Sequence, residues 1–360
     1  MQTQRQRGAL SQIQGRFETE ARDPFDDGWQ RDAGEDEPLE PLQTTVTVER
    51  ARSIISRYDS ADIPFDQSIN PYRGCEHGCV YCYARPSHAY LELSPGLDFE
   101  TKLFAKTNAA ELLRLELAKP GYAVSPISLG ANTDCYQPAE RKFRITRQVL
   151  EVLSECEHPL TIVTKSALVE RDLDLLAPMA RKNLVKVYVS IGTLDHALAR
   201  KLEPRAASPR RRLDVIRALS GAGVPCGVMV AALIPALNDK TLEQVLEEAA
   251  AAGAQEAAYV ILRLPNELKE VFKEWLAAHY PERADHVISI VRQMRGGKDN
   301  DATFGARMRG TGSFAELISG RFAIACRRLG LNGHGGGRRR PELDCARFVA
   351  PSPAGQMKLF

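Results

Sequence analysis

The sequence predicts an α/β fold built on a parallel sheet, and three observations carry the prediction. Short apolar, β-rich segments alternate with helical stretches, helix start and stop residues mark the junctions, and the alternation persists for six units. Strands that alternate with helices of roughly 10–15 residues form βαβ units rather than hairpins. The first strand is expected near Ser68–Arg73, followed by Ile127–Gly130 (ISLG), Leu160–Thr164 (LTIVT), Val185–Ile191 (VKVYVSI), Cys226–Leu233 (CGVMVAAL) and Ala258–Leu262 (AYVIL). Helices are expected over Asn108–Lys119, Glu140–Glu155, Glu170–Ala180, Pro209–Ala222, Thr241–Ala252 and Glu267–His279. Ser208 ahead of Pro209 is a cap followed by a first-turn proline. Gly223 and Gly253 stand just past helix ends, where a left-handed residue closes the last turn. Six right-handed crossovers curl into an open partial barrel or spread as a doubly wound sheet. Either way, functional groups collect at the C-terminal ends of the strands.

Composition sets the boundaries of that reading. The chain has 360 residues, 44% hydrophobic and 26% charged, with a net charge of +2, an ordinary balance for a globular protein. No apolar run reaches membrane-spanning length and the N-terminus lacks the apolar core of a secretory signal. A cytoplasmic location without a membrane partner is therefore expected. Residues 1–45 are polar and acid-rich and are expected to form a disordered arm; residues 46–280 carry the βα units. Residues 281–348 turn basic and irregular, with Arg292, Arg295, Arg307, Arg309, Arg321 and the Arg338–Arg340 run as candidate phosphate contacts. Residues 349–360 read as a flexible tail.

The most informative stretch is Asn70–Arg85, NPYRGCEHGCVYCYAR, in which three of the eight cysteines fall within eight residues. Cys75, Cys79 and Cys82 are spaced C-x3-C-x2-C directly after the first expected strand. Clustered thiolates are natural iron–sulfur ligands. A [4Fe–4S] cluster takes four cysteines when fully ligated, so three would leave one iron open. The competing reading is a zinc site completed by His77 or His88, in a non-catalytic nucleic-acid-binding protein.

The cysteine loop at the end of a first βα-barrel strand resembles the radical S-adenosylmethionine (SAM) superfamily. The resemblance is greatest to its spore photolyase-related, DNA repair photolyase-like branch. It covers about residues 66–265 through GCEHGCVYCYAR, LGANTDCYQPAE, TIVTKSALVERDLDLL, VYVSIGTLD, LEPRAASPRRRLDVIRALSGAG and GVMVAALIPALND. It implies a partial (β/α)6 barrel whose open iron binds SAM. Reductive cleavage of SAM then yields a 5′-deoxyadenosyl radical that abstracts hydrogen from a substrate, and an electron donor such as flavodoxin or ferredoxin supplies the electron.

By the same resemblance, Tyr81 covers the adenine and Asn132, Thr133 and Asp134 form the turn that meets the methionine part of SAM. Lys165 matches a lysine that contacts the SAM carboxylate, and Ser190 a polar group near the ribose or carboxylate. Tyr83 matches a tyrosine implicated in radical relay. Where spore photolyase places a hydrogen-donating cysteine before its Thr-Asp pair, this chain has Asn132; Cys135 is the candidate replacement. The last residues end in Gln356–Phe360 (QMKLF), which resembles peptides that bind the bacterial DNA sliding clamp. DNA and the clamp are thus the expected partners.

Overall fold

The computed structural model describes residues 7–18, 42–333 and 342–351. Ten strands form two sheets: β1 (Thr45–Glu49), β2 (Ile55–Arg57), β3 (Gln67–Ile69), β4 (Tyr72–Arg73), β5 (Lys102–Lys106), β6 (Ile127–Leu129), β7 (Leu160–Thr164), β8 (Val185–Ser190), β9 (Cys226–Leu233) and β10 (Glu256–Ile261). The main sheet runs β10-β9-β8-β7-β6-β3-β2, in which β3 to β10 pair in parallel and β2 is an antiparallel flank. The order follows the chain without reversal. A doubly wound sheet reverses at a switch point, so the partial barrel is the architecture present. β2 and β10 end the sheet unpaired with each other, which leaves the barrel open.

The expected strands lie within a few residues of the observed ones, because their branched side chains fill the layer between sheet and helices. Ile127, Leu129, Ile162, Val187, Val189 and Val228 are fully buried against Val149, Leu153, Leu176, Val215 and Leu246. The Ser208 hydroxyl accepts a hydrogen bond from the Arg211 amide at 3.3 Å, and Gly223 and Gly253 are left-handed at φ +74° and +107°.

Three expectations change. The first strand is two pieces: β3 belongs to the main sheet, whereas β4 joins β5 and β1 in a small second sheet. The chain changes sheet at Asn70–Pro71, where proline cannot continue a ladder. Residues 7–18, assigned to the disordered arm, instead pack on the body. Arg7 and Ala9 are buried, the Ser11 hydroxyl lies 2.7 Å from Glu274, and Arg16 pairs with Glu267 at 2.9 Å. The basic extension is largely helical, over Pro281–Gln293 and Gly312–Leu329. Its Val287, Val291, Ile318, Ala325 and Cys326 are buried, at helical spacing that the arginines had diluted. Arg338–Arg340 and the Gln356–Phe360 peptide lie outside the described residues.

Candidate active site

β4 delivers Cys75 to the barrel mouth: Arg73 pairs with Phe104 of β5, and the Cys75 amide donates to the Phe99 carbonyl at 2.9 Å. The loop then winds through tight turns. The Gly78 amide reaches the Cys75 carbonyl at 3.3 Å and the Cys82 amide the Cys79 carbonyl at 3.2 Å. Gly78 is left-handed at φ +65°, and a Cβ there would stand 2.5 Å from a Glu100 oxygen. Behind the loop is the fully buried Arg85. Its guanidinium donates to the carbonyls of Cys79 (2.9 Å), Gly78 (3.1 Å) and Gly96 (2.8 Å) and to Glu100 (2.5 Å). Glu100 in turn accepts from the Gly8 and Ala9 amides at 2.9 and 2.8 Å. The sulfur loop is thus fixed from behind by one buried ion pair, leaving its thiols to face the mouth side.

All three thiols are free of disulfides. Burial pushes the Cys79 thiol up to about 12, with Lys165 opposing it, and pushes Cys75 well above its usual value. Thiolates this buried persist only beside a compensating cation, which a bound metal supplies. Among the described residues, no three His, Cys, Asp or Glu side chains converge on one ion-sized position, the arrangement a lone zinc requires. In an iron–sulfur cube each thiolate takes its own iron. Of the candidate histidines, His77 Nδ1 lies 3.3 Å from Asp134 and His88 Nε2 lies 2.9 Å from the Lys102 carbonyl, while His88 Nδ1 is buried without a hydrogen-bond partner. Three closely spaced, disulfide-free thiols are a donor set that fits a cluster.

The Radical SAM superfamily profile matches residues 69–249. The chain belongs to the radical SAM superfamily. An uncharacterized protein of Mycobacterium tuberculosis is 40% identical over 237 residues, 65% of this chain and 70% of the relative. One from Methanocaldococcus jannaschii is 28% identical over 214 residues, 59% of this chain and 76% of the relative. Among solved structures, spore photoproduct lyase complexed with dinucleoside spore photoproduct superposes with a TM-score of 0.57 at 17% identity, covering 80% of each chain. At that identity the likeness is one of fold.

Around this radical SAM loop the structure sorts the expected site residues into two groups. Tyr81, Lys165 and Ser190 come together. The Tyr81 hydroxyl bonds to buried Glu203, and the Lys165 ammonium lies 5.9 Å over the Tyr81 ring. Burial opposes charge on Lys165, but Cys79, Glu203 and Asp134 outweigh it and hold its pKa above the ordinary value. Ser190 Oγ donates to the Ala231 carbonyl at 3.3 Å. Tyr83 stands at the mouth, 48% exposed, with its hydroxyl on the Ala131 carbonyl.

The other group makes its hydrogen bonds within the protein. Thr133 is buried with its hydroxyl on the Tyr72 carbonyl at 2.9 Å. Asp134 accepts from Thr164 Oγ1 (2.8 Å), the Lys165 amide (2.7 Å) and the Tyr136 amide (2.9 Å). It therefore ties the β6 turn to the end of β7 and is a positioning residue. The Asn132 amide donates to Asn70 Oδ1 at 2.9 Å. Cys135 is wholly enclosed in the main core, its sulfur 3.7 Å from where a Cβ on Gly130 would sit. A sulfur in the wall cannot hand hydrogen to a substrate, so Cys135 is removed as donor.

Two residues escaped the sequence reading. Glu203 and Arg212 form a buried ion pair whose guanidinium also donates to the Ser190 carbonyl at 2.9 Å and the Ala207 carbonyl at 2.7 Å. This pair joins Tyr81 of the sulfur loop to the end of β8. Both lie in LEPRAASPRRRLD, where three other arginines hide which one is buried. A separate cavity of about 530 Å³ opens beside the mouth between Asp195, Leu237, Lys240 and His279, and none of the expected site residues lines it. Among the described residues no helix is long and apolar enough to cross a membrane.

Proposed function

We propose that this chain performs SAM-dependent radical chemistry on a nucleic-acid base, with Cys75, Cys79 and Cys82 as the ligands of a [4Fe–4S] cluster. The observation that carries the reading is the loop itself. Three disulfide-free thiols, anchored through Arg85, sit where β4 meets the barrel mouth of a radical SAM protein. When bound, the cluster and SAM supply a one-electron reduction and a carbon-centred radical able to take hydrogen from an unactivated C–H bond.

The chain's own residues bind and orient. Lys165, kept charged, meets a carboxylate. Tyr81, braced by Glu203 and Arg212, offers a fixed aromatic face, and Ser190 presents its remaining lone pairs to a ribose hydroxyl. Tyr83 is the aromatic that an entering substrate meets first. Support for a nucleic-acid substrate is the dinucleoside bound by the fold neighbour. A flavodoxin or ferredoxin serves as electron donor, and the Gln356–Phe360 peptide would recruit the enzyme to a DNA sliding clamp.

Anaerobic reconstitution with iron and sulfide should give a brown protein that releases 5′-deoxyadenosine from SAM when dithionite is added. Stoichiometric zinc in place of iron, or a loaded cluster that never cleaves SAM with any nucleic acid present, would overturn the proposal. Replacing Cys79 by alanine should abolish both colour and cleavage.

A further inference from the structure

Two residues beyond β10, Arg263 reaches the mouth beside Tyr83 and, among the described residues, makes no direct ion pair, although the Asp62 carboxylate is near enough to act on its charge. Its nearest partners are the Met308 sulfur at 3.5 Å and the Tyr83 ring at 5.7 Å, and its buried Nε has no acceptor. A guanidinium carries five donors, which a thioether and a ring face satisfy poorly. Burying it in that state is costly, and an anion with paired oxygens removes the cost.

Two arginines of the extension are, by contrast, already neutralised. Arg292 pairs with Asp299 at 2.7 Å and Arg321 with Glu243 at 2.6 Å.

The surroundings of Arg263 are built rather than incidental. Buried Arg295 donates to the carbonyls of Ala306, Arg307 and Leu262, each at 2.9 Å, and so pins the 303–308 loop to the strand end that carries Arg263. Arg307 reaches Asp62 at 2.5 Å and lies 4.5 Å over the ring of Phe304, which is 60% exposed. Two guanidiniums, Arg263 and Arg307, therefore stand near the Asp62 carboxylate, between two exposed aromatic faces and beside the loop that carries Cys82. Positive charge interleaved with accessible rings suits a strand whose bases are unstacked or turned out.

We propose that this corner docks the nucleic-acid substrate: Arg263 takes a backbone phosphate, and Tyr83 and Phe304 offer faces to bases turned out of the stack. The proposal rests on the nucleic-acid reading above and adds the residues that receive the strand.

The test is fluorescence anisotropy of a labelled single-stranded DNA 12-mer with the full-length, anaerobically reconstituted protein at several salt concentrations. Arg263→Ala should weaken binding about tenfold and reduce the slope of log affinity against log salt by roughly one. Phe304→Ala should weaken it about fivefold or more. Lys269→Ala, on an outward helix face, should change nothing, and melting curves check that each variant folds. Should Arg263→Ala prove unfolded, Phe304→Ala decides alone, since its side chain is largely in solvent.

Wild-type affinity and salt slope retained in both variants would overturn the docking site while leaving the nucleic-acid reading standing. No binding by the wild-type protein would overturn both. Competition by a free mononucleotide as effective as that by the strand would assign Arg263 to a small phosphorylated ligand and overturn the strand.

Discussion

His158 lies just ahead of β7, at the end of the sheet opposite the sulfur loop, with no exposed surface. Its ring nitrogens are 2.9 Å from the Tyr122 hydroxyl and the Pro159 carbonyl, and burial lowers its pKa to about 4. Between that value and about 6.5 the unfolded chain binds a proton that the folded chain refuses. Its contribution is complete above about pH 6.5 and is lost as pH falls through 4, a swing of up to about 3 kcal/mol. Urea unfolding across that range should show stability rising with pH. His158→Gln should flatten part of the rise, leaving the share of His88, which burial lowers in the same way. Glu203 and Arg212 pose a different problem, since each leaves a buried charge when its partner goes. Glu203→Gln or Arg212→Met should each cost about 3–5 kcal/mol by the same assay, and the double variant less than their sum.

At the scale of elements, the parallel strands of the main sheet were legible because they are compact apolar runs, whereas β1, β2 and β5, with partly exposed and charged residues, were not. β7, LTIVT, has the bounds read from sequence. The three thiols of the loop were legible through spacing alone. What escaped depends on distant partners. That Thr133 and Asp134 bond to Tyr72 and Thr164 is not visible in the residues themselves. Residues 7–18 carry no apolar period, and they dock through backbone amides onto Glu100, more than ninety positions away. That docking makes the segment an extension of the sulfur loop: a Cβ on Gly8 would stand 1.8 Å from the Gly78 carbonyl oxygen. Gly8→Val should therefore unseat the segment and lower iron per chain after reconstitution, whereas Gly320→Ala, helical and with nothing near its Cβ, should leave iron content unchanged.

For the whole molecule, the decisive feature is the gap between β2 and β10. The 303–308 loop crosses it: the Ile261 amide donates to the Met308 carbonyl at 3.0 Å, and Arg307 holds Asp62 and the Ser60 hydroxyl. Asp62→Asn should loosen this crossing without dissolving the sheet, seen as faster amide hydrogen exchange confined to residues 58–66 and 300–310. Uniform exchange across the chain would instead mean that the crossing holds up the entire fold. The segment from Arg7 to Glu18 spans a comparable distance, from Glu100 beside the cysteines to Glu267 and Glu274 at the far helix. During synthesis the amides of Gly8 and Ala9 can meet Glu100 as soon as it emerges, whereas the contacts of Ser11 and Arg16 wait for residues 267–274. The back of the sulfur loop can therefore be covered before the last strands of the barrel exist.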